Sequence, residues 1–456
     1  MSTELTPPQP DTGAATQKDS RRALISSFLG STVEYYDFLL YGAAAGLVFP
    51  ALFFPKSMDA SLGATLSFVI LLAGYLARPV GGILFGHFGD RVGRKNMLVI
   101  TLVMMGAVSV CIGLMPTYET IGVAAPIILV GLRIIQGLAV GGEWAGATLM
   151  AAEHVGHRRR GIAASIAVTG GPTGSVLATL ILALFAGLPD EQFLSWGWRI
   201  PFLLSAALVV VGLYLRYSVT ESPDFAAART ADDVHTGVPI LRVIRQYPLS
   251  SLYGMLAVAG PLFMQALLAV WVVPYVAAGG AVARQDALYM LTFSSVLHIF
   301  AIPFFAWLSD RYGRRPVMLT GAAVAVVLVF PMFALFNSNN PWLIALGFIV
   351  GNPIIQASMY GPIGAFLAEK FATRDRYTGV SLTFQLGSVL GAGTAPLMAN
   401  WLFELDNKSS TTYIACYFIA LTLVSALAVY LSKETLRRHA QVASPVTATP
   451  VSVTAD

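Results

Sequence analysis

Five ionisable side chains stand inside long apolar runs of this 456-residue sequence: Glu34, Asp37, Arg78, Arg133 and Glu143. Each costs about 2.5 to 3.5 kcal/mol to place in a membrane core, so each needs a partner or a task. All five fall in the first half, and the second half offers only His298 as an ionisable group within an apolar run. Glu34 and Asp37 are three residues apart and share one helix face. A buried carboxyl group beside a guanidinium is proton chemistry, because removing the cation favours the protonated acid and returning it expels the proton. Arg133 also has the planar fork that grips two carboxylate oxygens at once. Glu34 or Asp37 is therefore expected to carry a proton, with Arg133 as switchable counter-ion and as anchor for an anionic ligand. Arg78 and Glu143 are expected to form a second charge pair. Permanent structural ion pairs are the competing expectation for both sets.

The elements that hold these groups are read from composition and hydropathy. Hydrophobic residues make up 56% of the chain and charged residues 11%, with a mean hydropathy of +0.70. A water-soluble domain carries about 25% charged residues, so the class is an all-α polytopic membrane protein. A formal net charge of +4 in scattered groups gives no footprint for nucleic acid. Cys111 and Cys416 both lie in apolar runs, which argues against a disulfide framework. No His/Cys/Asp cluster has metal-ligand spacing and no phosphate-binding Gly-Lys-Ser/Thr loop is present, so neither metal, cofactor nor enzymatic chemistry is expected. The polar start, 1–20, has no apolar signal-peptide core, and the first helix is expected to insert uncleaved.

Twelve spans of bilayer length can be drawn: 24–53, 62–87, 96–115, 121–150, 160–187, 197–217, 248–278, 286–308, 316–336, 341–368, 378–403 and 411–432. The domain plan is a tail (1–23), a six-helix bundle (24–217), a hydrophilic loop (218–247), a second six-helix bundle (248–432) and a tail (433–456). With both termini in the cytoplasm, 22 of the 28 Lys and Arg residues lie inside and 4 outside, the positive-inside bias of the cell membrane. On a rise of 1.5 Å per residue, Glu34 lies about 15 Å and Arg133 about 18 Å along their spans, both near the midplane. Arg78 and Glu143 come out nearer the cytoplasmic face. The halves also repeat. Asp90-Arg91-x-Gly93-Arg94 is answered 220 residues on by Asp310-Arg311-x-Gly313-Arg314, and Ala-Ala-Glu153 by Leu-Ala-Glu369. Paired repeats with a site between them are the plan of alternating-access transporters.

At this point the chain resembles a known family. Gly86-x-x-x-Asp90-Arg91-x-Gly93-Arg94-Lys95 with its second copy, and Arg133-x-x-Gln136-Gly137, resemble the major facilitator superfamily. Glu34-Tyr35-Tyr36-Asp37-Phe38-x-x-Tyr41-Gly42, Ala77-Arg78-Pro79-x-Gly81-Gly82, Gly141-Gly142-Glu143-Trp144 and Trp198-Arg199-x-Pro201-Phe202 are similar to its metabolite:proton symporter family. The run from Asp190 to Arg199 is more similar to shikimate-type than to osmolyte-type members. In the second Asp-Arg copy Ser309 replaces the opening glycine, which puts the tightness of that turn in question.

The resemblance implies the major facilitator fold and proton-coupled import of a small organic metabolite by alternating access. Shikimate-like hydroxy acids, dicarboxylates, aromatic acids and betaines come in that order of expectation. It implies a cytoplasmic gate of Asp90, Arg91, Arg94 and Glu153, with Asp310, Arg311, Arg314 and Glu369 as its second-half counterpart. Besides Arg133, the candidate substrate-lining residues are Tyr41, Gln136, Gln265, Trp271, Asn352, Gln356, Tyr360 and Gln385, which supply neutral donors, acceptors and aromatic faces. The expected partners are the substrate, the proton and the lipid bilayer, with the monomer as the working unit. An exporter or antiporter of the same fold, or a metabolite sensor that moves nothing, are the alternatives. If the loop is a gate, Asp90→Asn slows uptake into proteoliposomes while equilibrium substrate binding persists. An equal loss of binding would make the loop part of the site.

Overall fold

The computed structural model describes residues 12–92, 94–141, 148, 160–217, 239–372 and 375–434. Among them all regular structure is helical, in twelve long runs: α1 (Thr12–Leu47), α2 (Ala60–Val92), α3 (Arg94–Leu114), α4 (Ala124–Val140), α5 (Arg160–Val168 and Gly170–Ala186), α6 (Arg199–Tyr217), α7 (Pro248–Ala278), α8 (Arg284–Tyr312), α9 (Arg314–Phe336), α10 (Pro341–Ala368), α11 (Arg376–Ser388 and Ala395–Leu405) and α12 (Thr412–Leu431). Eight of the described helices are long and apolar enough to cross a bilayer unaided, and two more are shorter apolar helices. In α1, Glu34 and Asp37 dilute the apolar character, and α11 is in two pieces. The first helix begins at Thr12, inside the stretch expected as a tail, because the polar run before the membrane continues the same helix. A short helix, Pro239–Gln246, leads into α7.

Helix pairing repeats between the halves. The strong packings α1 with α5, α2 with α4 and α3 with α6 are matched by α7 with α11, α8 with α10 and α9 with α12. Contacts between halves obey the same relation: α5 meets α8, α11 meets α2, and α1 meets α7. Such a reciprocal pattern is the signature of two repeats about a pseudo-twofold axis. Near that axis α7 is the most enclosed of the long apolar helices, with 89% of an apolar 18-residue stretch of it buried. By contrast α6, α9 and α12 turn Val210, Val327 and Leu427 outward, an apolar girdle that suits lipid and not water. Aromatic side chains mark both rims: Tyr214, Tyr312 and Tyr430 at the end where α1 begins, and Trp342, Trp401 and Tyr413 at the other. The first is called the basic end below, since Arg242, Arg314, Arg315 and Lys370 gather there, and the second the far end.

Three second-half helices carry a wider, π-type turn: Leu267–Val272 in α7, Val350–Gln356 in α10 and Val389–Gly393 in α11. Each has a proline in it or within three residues after it, Pro274, Pro353 and Pro396 respectively. A missing N–H frees a carbonyl one turn back, and widening the turn re-seats it without exposing backbone to lipid.

The Asp-Arg stretches are not loops. In the second copy α8 runs through Asp310 to Tyr312 and α9 starts at Arg314, leaving only Gly313 between them at φ +106°. Only glycine takes that backbone region without strain. Ser309 does not loosen the turn, since its hydroxyl accepts from Arg314 Nη1 at 2.8 Å. In the first copy α2 reaches Val92 and α3 begins at Arg94. The side chains of Asp90, Arg91 and Arg94, and Glu143 and Glu153 entirely, lie outside the described residues.

The closest helix approach is α2 on α4, where a Cβ on Gly137 would stand 2.0 Å from the Gly74 carbonyl oxygen. A Cβ on Gly131, on the same helix, would meet nothing within 4 Å. Gly137→Ala is therefore expected to destabilise the protein by about 1–3 kcal/mol through overpacking. Gly131→Ala should be neutral or stabilising. Thermal unfolding of the two variants in detergent checks the contrast, and equal midpoints would contradict it.

Candidate functional site

Arg133 on α4 is fully buried, and the space for it comes from α2, because a Cβ on Gly74 would stand 2.6 Å from its Nε. Its guanidinium carbon lies 3.9 Å from the Phe38 ring centre and 4.0 Å from that of Tyr41. Arg78 on α2 lies 3.8 Å from the same Phe38 ring and 4.4 Å from Tyr75. Two guanidiniums cannot share one face of a benzene ring at these distances, so they occupy opposite faces of Phe38. The negative faces of the π systems replace carboxylates as their stabilising surroundings. Among the described residues neither arginine forms an ion pair. The Nε and Nη2 atoms of Arg133, and Nε of Arg78, are buried without hydrogen-bond partners.

Two expectations change here. Arg133 is not the direct counter-ion of Glu34 or Asp37: its Nη1 is spent on Gln136, and the described residues against its guanidinium are the rings of Phe38 and Tyr41. Nor does Arg78 sit at a separate level, since its long side chain reaches the very ring that Arg133 uses.

Arg133 and Asp37 are joined through neutral groups instead. Arg133 Nη1 donates to Gln136 Oε1 at 2.5 Å, and Gln136 Nε2 donates to Ser109 Oγ on α3 at 3.2 Å. Ser109 lies beside the Asp37 carboxyl, and Ser205 on α6 donates to Asp37 Oδ1. Asp37 Oδ2 is buried without a hydrogen-bond partner. One polar chain thus runs from a guanidinium to a carboxyl group through three helices, with a fourth, α6, supplying Ser205 at its end. Glu34 is also buried, one turn nearer the basic end. The tyrosine hydroxyl of Tyr41 has no partner, while its ring also packs edge-on against Phe49 at 5.0 Å.

In the second half, Asn352 Nδ2 donates to Ser294 Oγ at 3.0 Å. Gln356, fully buried, leans on His298, but neither its amide atoms nor His298 Nε2 reaches hydrogen-bonding geometry. Trp271 stacks on Tyr275 at 4.7 Å and meets Phe403 edge-on, and Gln265 on α7 is half-buried.

The halves touch at both ends. Toward the basic end Tyr35 and Tyr360 hydroxyls meet at 3.4 Å, Gln385 Nε2 donates to the Gly141 carbonyl at 3.0 Å, and Asp310 Oδ2 accepts from Ile162 N at 3.2 Å. Toward the far end Arg284 pairs with Asp190 at 3.1 Å, Asn400 donates to Thr65 at 2.9 Å, and Val270 blocks any Cβ on Gly42. Between them Thr179 and Thr292 hydroxyls join α5 to α8 at 2.7 Å. The described halves are thus joined at both ends and between them. At the basic end Arg314 joins Asp310 at 2.6 Å and Glu369 at 3.1 Å, while Arg311 lies over Tyr312. Sequence reasoning missed Phe38, Tyr75, Ser109 and Ser205 as members of the cluster. For Phe38 the signal was available, as it lies within the Glu34 to Gly42 stretch.

The comparisons with known proteins agree with this architecture. A family model described as sugar (and other) transporter matches residues 23–237, and one described as Major Facilitator Superfamily matches residues 281–453. The inner membrane metabolite transport protein YhjE of Escherichia coli (strain K12) is 35% identical over 92% of this chain and 94% of its own length. The shikimate transporter of the same organism is 36% identical over 96% of this chain and 100% of its own length. Its proline/betaine transporter is 32% identical over 93% and 86%. Among solved structures, a D-xylose-proton symporter superposes with a TM-score of 0.69 at 19% identity, covering 91% of this chain and 98% of that one. The xylose transporter XylE in a partially occluded inward open conformation gives 0.69 at 20% identity, over 92% and 99%.

Phe38→Leu removes the face that each arginine rests on. At about 1–2 kcal/mol for each desolvated cation–π contact, a loss of about 2–4 kcal/mol is expected, with Phe38→Tyr close to wild type. Thermal unfolding in detergent measures both, and a Phe38→Leu protein as stable as wild type would show that the ring does not hold the cations.

Proposed function

The chain belongs to the major facilitator superfamily, and on that premise we propose that it is a proton-coupled symporter that imports a small organic carboxylate by alternating access. It is a multi-pass membrane transporter and not an enzyme, as its relatives are transporters. The observation that carries the carboxylate reading is the pair of buried guanidiniums, Arg78 and Arg133, with aromatic faces about them and no carboxylate paired to them among the described residues. An arriving anion supplies the missing charge and accepts the orphaned N–H groups of Arg133.

Proton coupling follows from the polar chain. An anion that draws Arg133 Nη1 away from Gln136 frees the Gln136 carbonyl, turns the amide and changes what Ser109 offers Asp37. The Asp37 carboxyl then gains or loses its proton as the anion site fills or empties. Glu34, one turn away, is the alternative carrier. Each proton moved with one monocarboxylate leaves the net translocated charge at zero. Positive-inside counting puts the basic end and both termini in the cytoplasm. In this reading the Asp310 contact to Ile162 and the Arg314 cluster close the cytoplasmic side, and the monomer is the working unit in the cell membrane.

Uptake by proteoliposomes under an imposed pH gradient tests the proposal, because one pH unit can sustain about tenfold accumulation per proton. Asp37→Asn is expected to abolish accumulation while leaving exchange of labelled for unlabelled substrate. Glu34→Gln takes that phenotype if Glu34 is the carrier. Normal accumulation by both single variants would overturn the assignment of the proton to this pair.

A further inference from the structure

The short helix Pro239–Gln246 at the basic end packs on α11 and α7, and its two sides differ in character. The inner side is fixed. Val243 is fully buried, Arg242 Nη1 reaches Asp375 Oδ1 at 3.4 Å just before α11, and Tyr247, the residue after the helix, meets Phe371 edge-on at 5.6 Å. The outer side is apolar, with Leu241 53% and Ile244 50% exposed. At about 100° per residue these two lie about 60° apart, and exposed Arg245 comes about 40° beyond Leu241, on the margin of the same face. The apolar edge continues along the chain at Leu249 and Leu252, both exposed on the first turns of α7, a helix otherwise largely enclosed. An amphipathic helix whose apolar face leads into a bilayer-embedded helix suits the plane of the membrane interface.

Charge at this end is sorted. Among the described residues of the second half, the four acids there are engaged within the protein: Asp310 and Glu369 on Arg314, Asp375 on Arg242, and Glu434 on the backbone N–H groups of Arg314 and Arg315. Arg245, Arg311 and Lys433 are exposed. The outer surface of this rim is therefore cationic, and positive-inside counting sets it against the cytoplasmic leaflet, whose surface is negative.

We propose that Pro239–Gln246 docks on anionic phospholipid: Leu241 and Ile244 enter the acyl chains and Arg245 binds the headgroup phosphates, while Arg242 stays on Asp375. The occupant is lipid and not free phosphate, because Arg245 stands beside apolar side chains that acyl chains cover and water does not. A cytoplasmic protein is disfavoured as well, since the apolar edge leads into α7 and the bilayer instead of away from it. One arginine at such a surface favours an anionic lipid over a zwitterionic one by about fivefold.

The test places a bimane label on the full-length protein at Leu241→Cys, in a background of Cys111→Ser and Cys416→Ser. The bilayer holds equal phosphatidylglycerol and phosphatidylcholine, with brominated acyl chains on one lipid at a time. Quenching is expected to be about twofold or more stronger when phosphatidylglycerol carries the bromine. Adding Arg245→Gln should bring the two arrangements close to equal, and so should about tenfold more salt with Arg245 in place. A label at Val327→Cys, on the outward face of α9, should be quenched equally by either lipid. If neither lipid quenches the label at position 241, the helix does not dock on the membrane. Equal quenching by both lipids, the same preference at position 327, or a preference that survives Arg245→Gln or high salt would overturn the assignment to anionic headgroups. The measurement uses no substrate, so its failure leaves the carboxylate reading in place.

Discussion

Two positive charges in a low-dielectric interior are the constraint around which this structure is built. Burying one guanidinium unpaired costs several kcal/mol, and a second close by adds repulsion. Aromatic faces offset part of that cost without neutralising either charge. A carboxylate paired permanently to Arg133 would be more stable, but it would occupy the donors that a ligand needs. Phe38, Tyr41 and Tyr75 surround the cations and leave Nε and Nη2 of Arg133 without hydrogen-bond partners, at a modest loss of stability. The site is in this sense held short of its electrostatic minimum.

That constraint reaches outward through packing. Arg133 lies against α2 only because Gly74 has no side chain, and α2 approaches α4 only because Gly137 has none. The same closeness brings Arg78 within reach of the ring that Arg133 uses. Backbone spacing and charge placement are thus one problem, solved by small residues at helix crossings. In the second half the devices differ: three widened turns at Pro274, Pro353 and Pro396 distort α7, α10 and α11, and the turns carry Trp271, Asn352 and Gln356.

The sequence made the architecture legible because a bilayer enforces it. Apolar runs of bilayer length, tolerant of proline and glycine, come out as twelve helices with ends within several residues of those drawn, apart from the early start of α1 and the end of the fourth span, most of which after Gly141 lies outside the described residues. Asp37, Tyr41, Arg78, Arg133 and Gln136 stood out as polar groups where polarity is expensive, and they do meet in space. What they meet through was not legible. Phe38 reads as one more apolar residue until helix rotation brings two cations onto it, and Ser109 and Ser205 become neighbours of Asp37 only through the packing of α3 and α6 on α1. Charge alone suggested an ion pair for Arg133; among the described residues the tertiary structure surrounds it with rings and an amide. The Asp-Arg stretches read as loops because glycine and charge usually mean that, yet in the second copy Gly313 alone separates two helices.

Gly313 has a mechanical meaning. A one-residue connection leaves α8 and α9 no slack, so the two move as a single stiff lever. At 29 residues α8 is about 44 Å long, and a tilt of roughly 10° about its far end sweeps the other end through about 8 Å. That travel exceeds the reach of any hydrogen bond, so the Asp310 grip on Ile162 is either whole or gone. A latch on a rigid arm has no partly open position, and in a membrane that must not leak protons such abruptness is itself an insulating property.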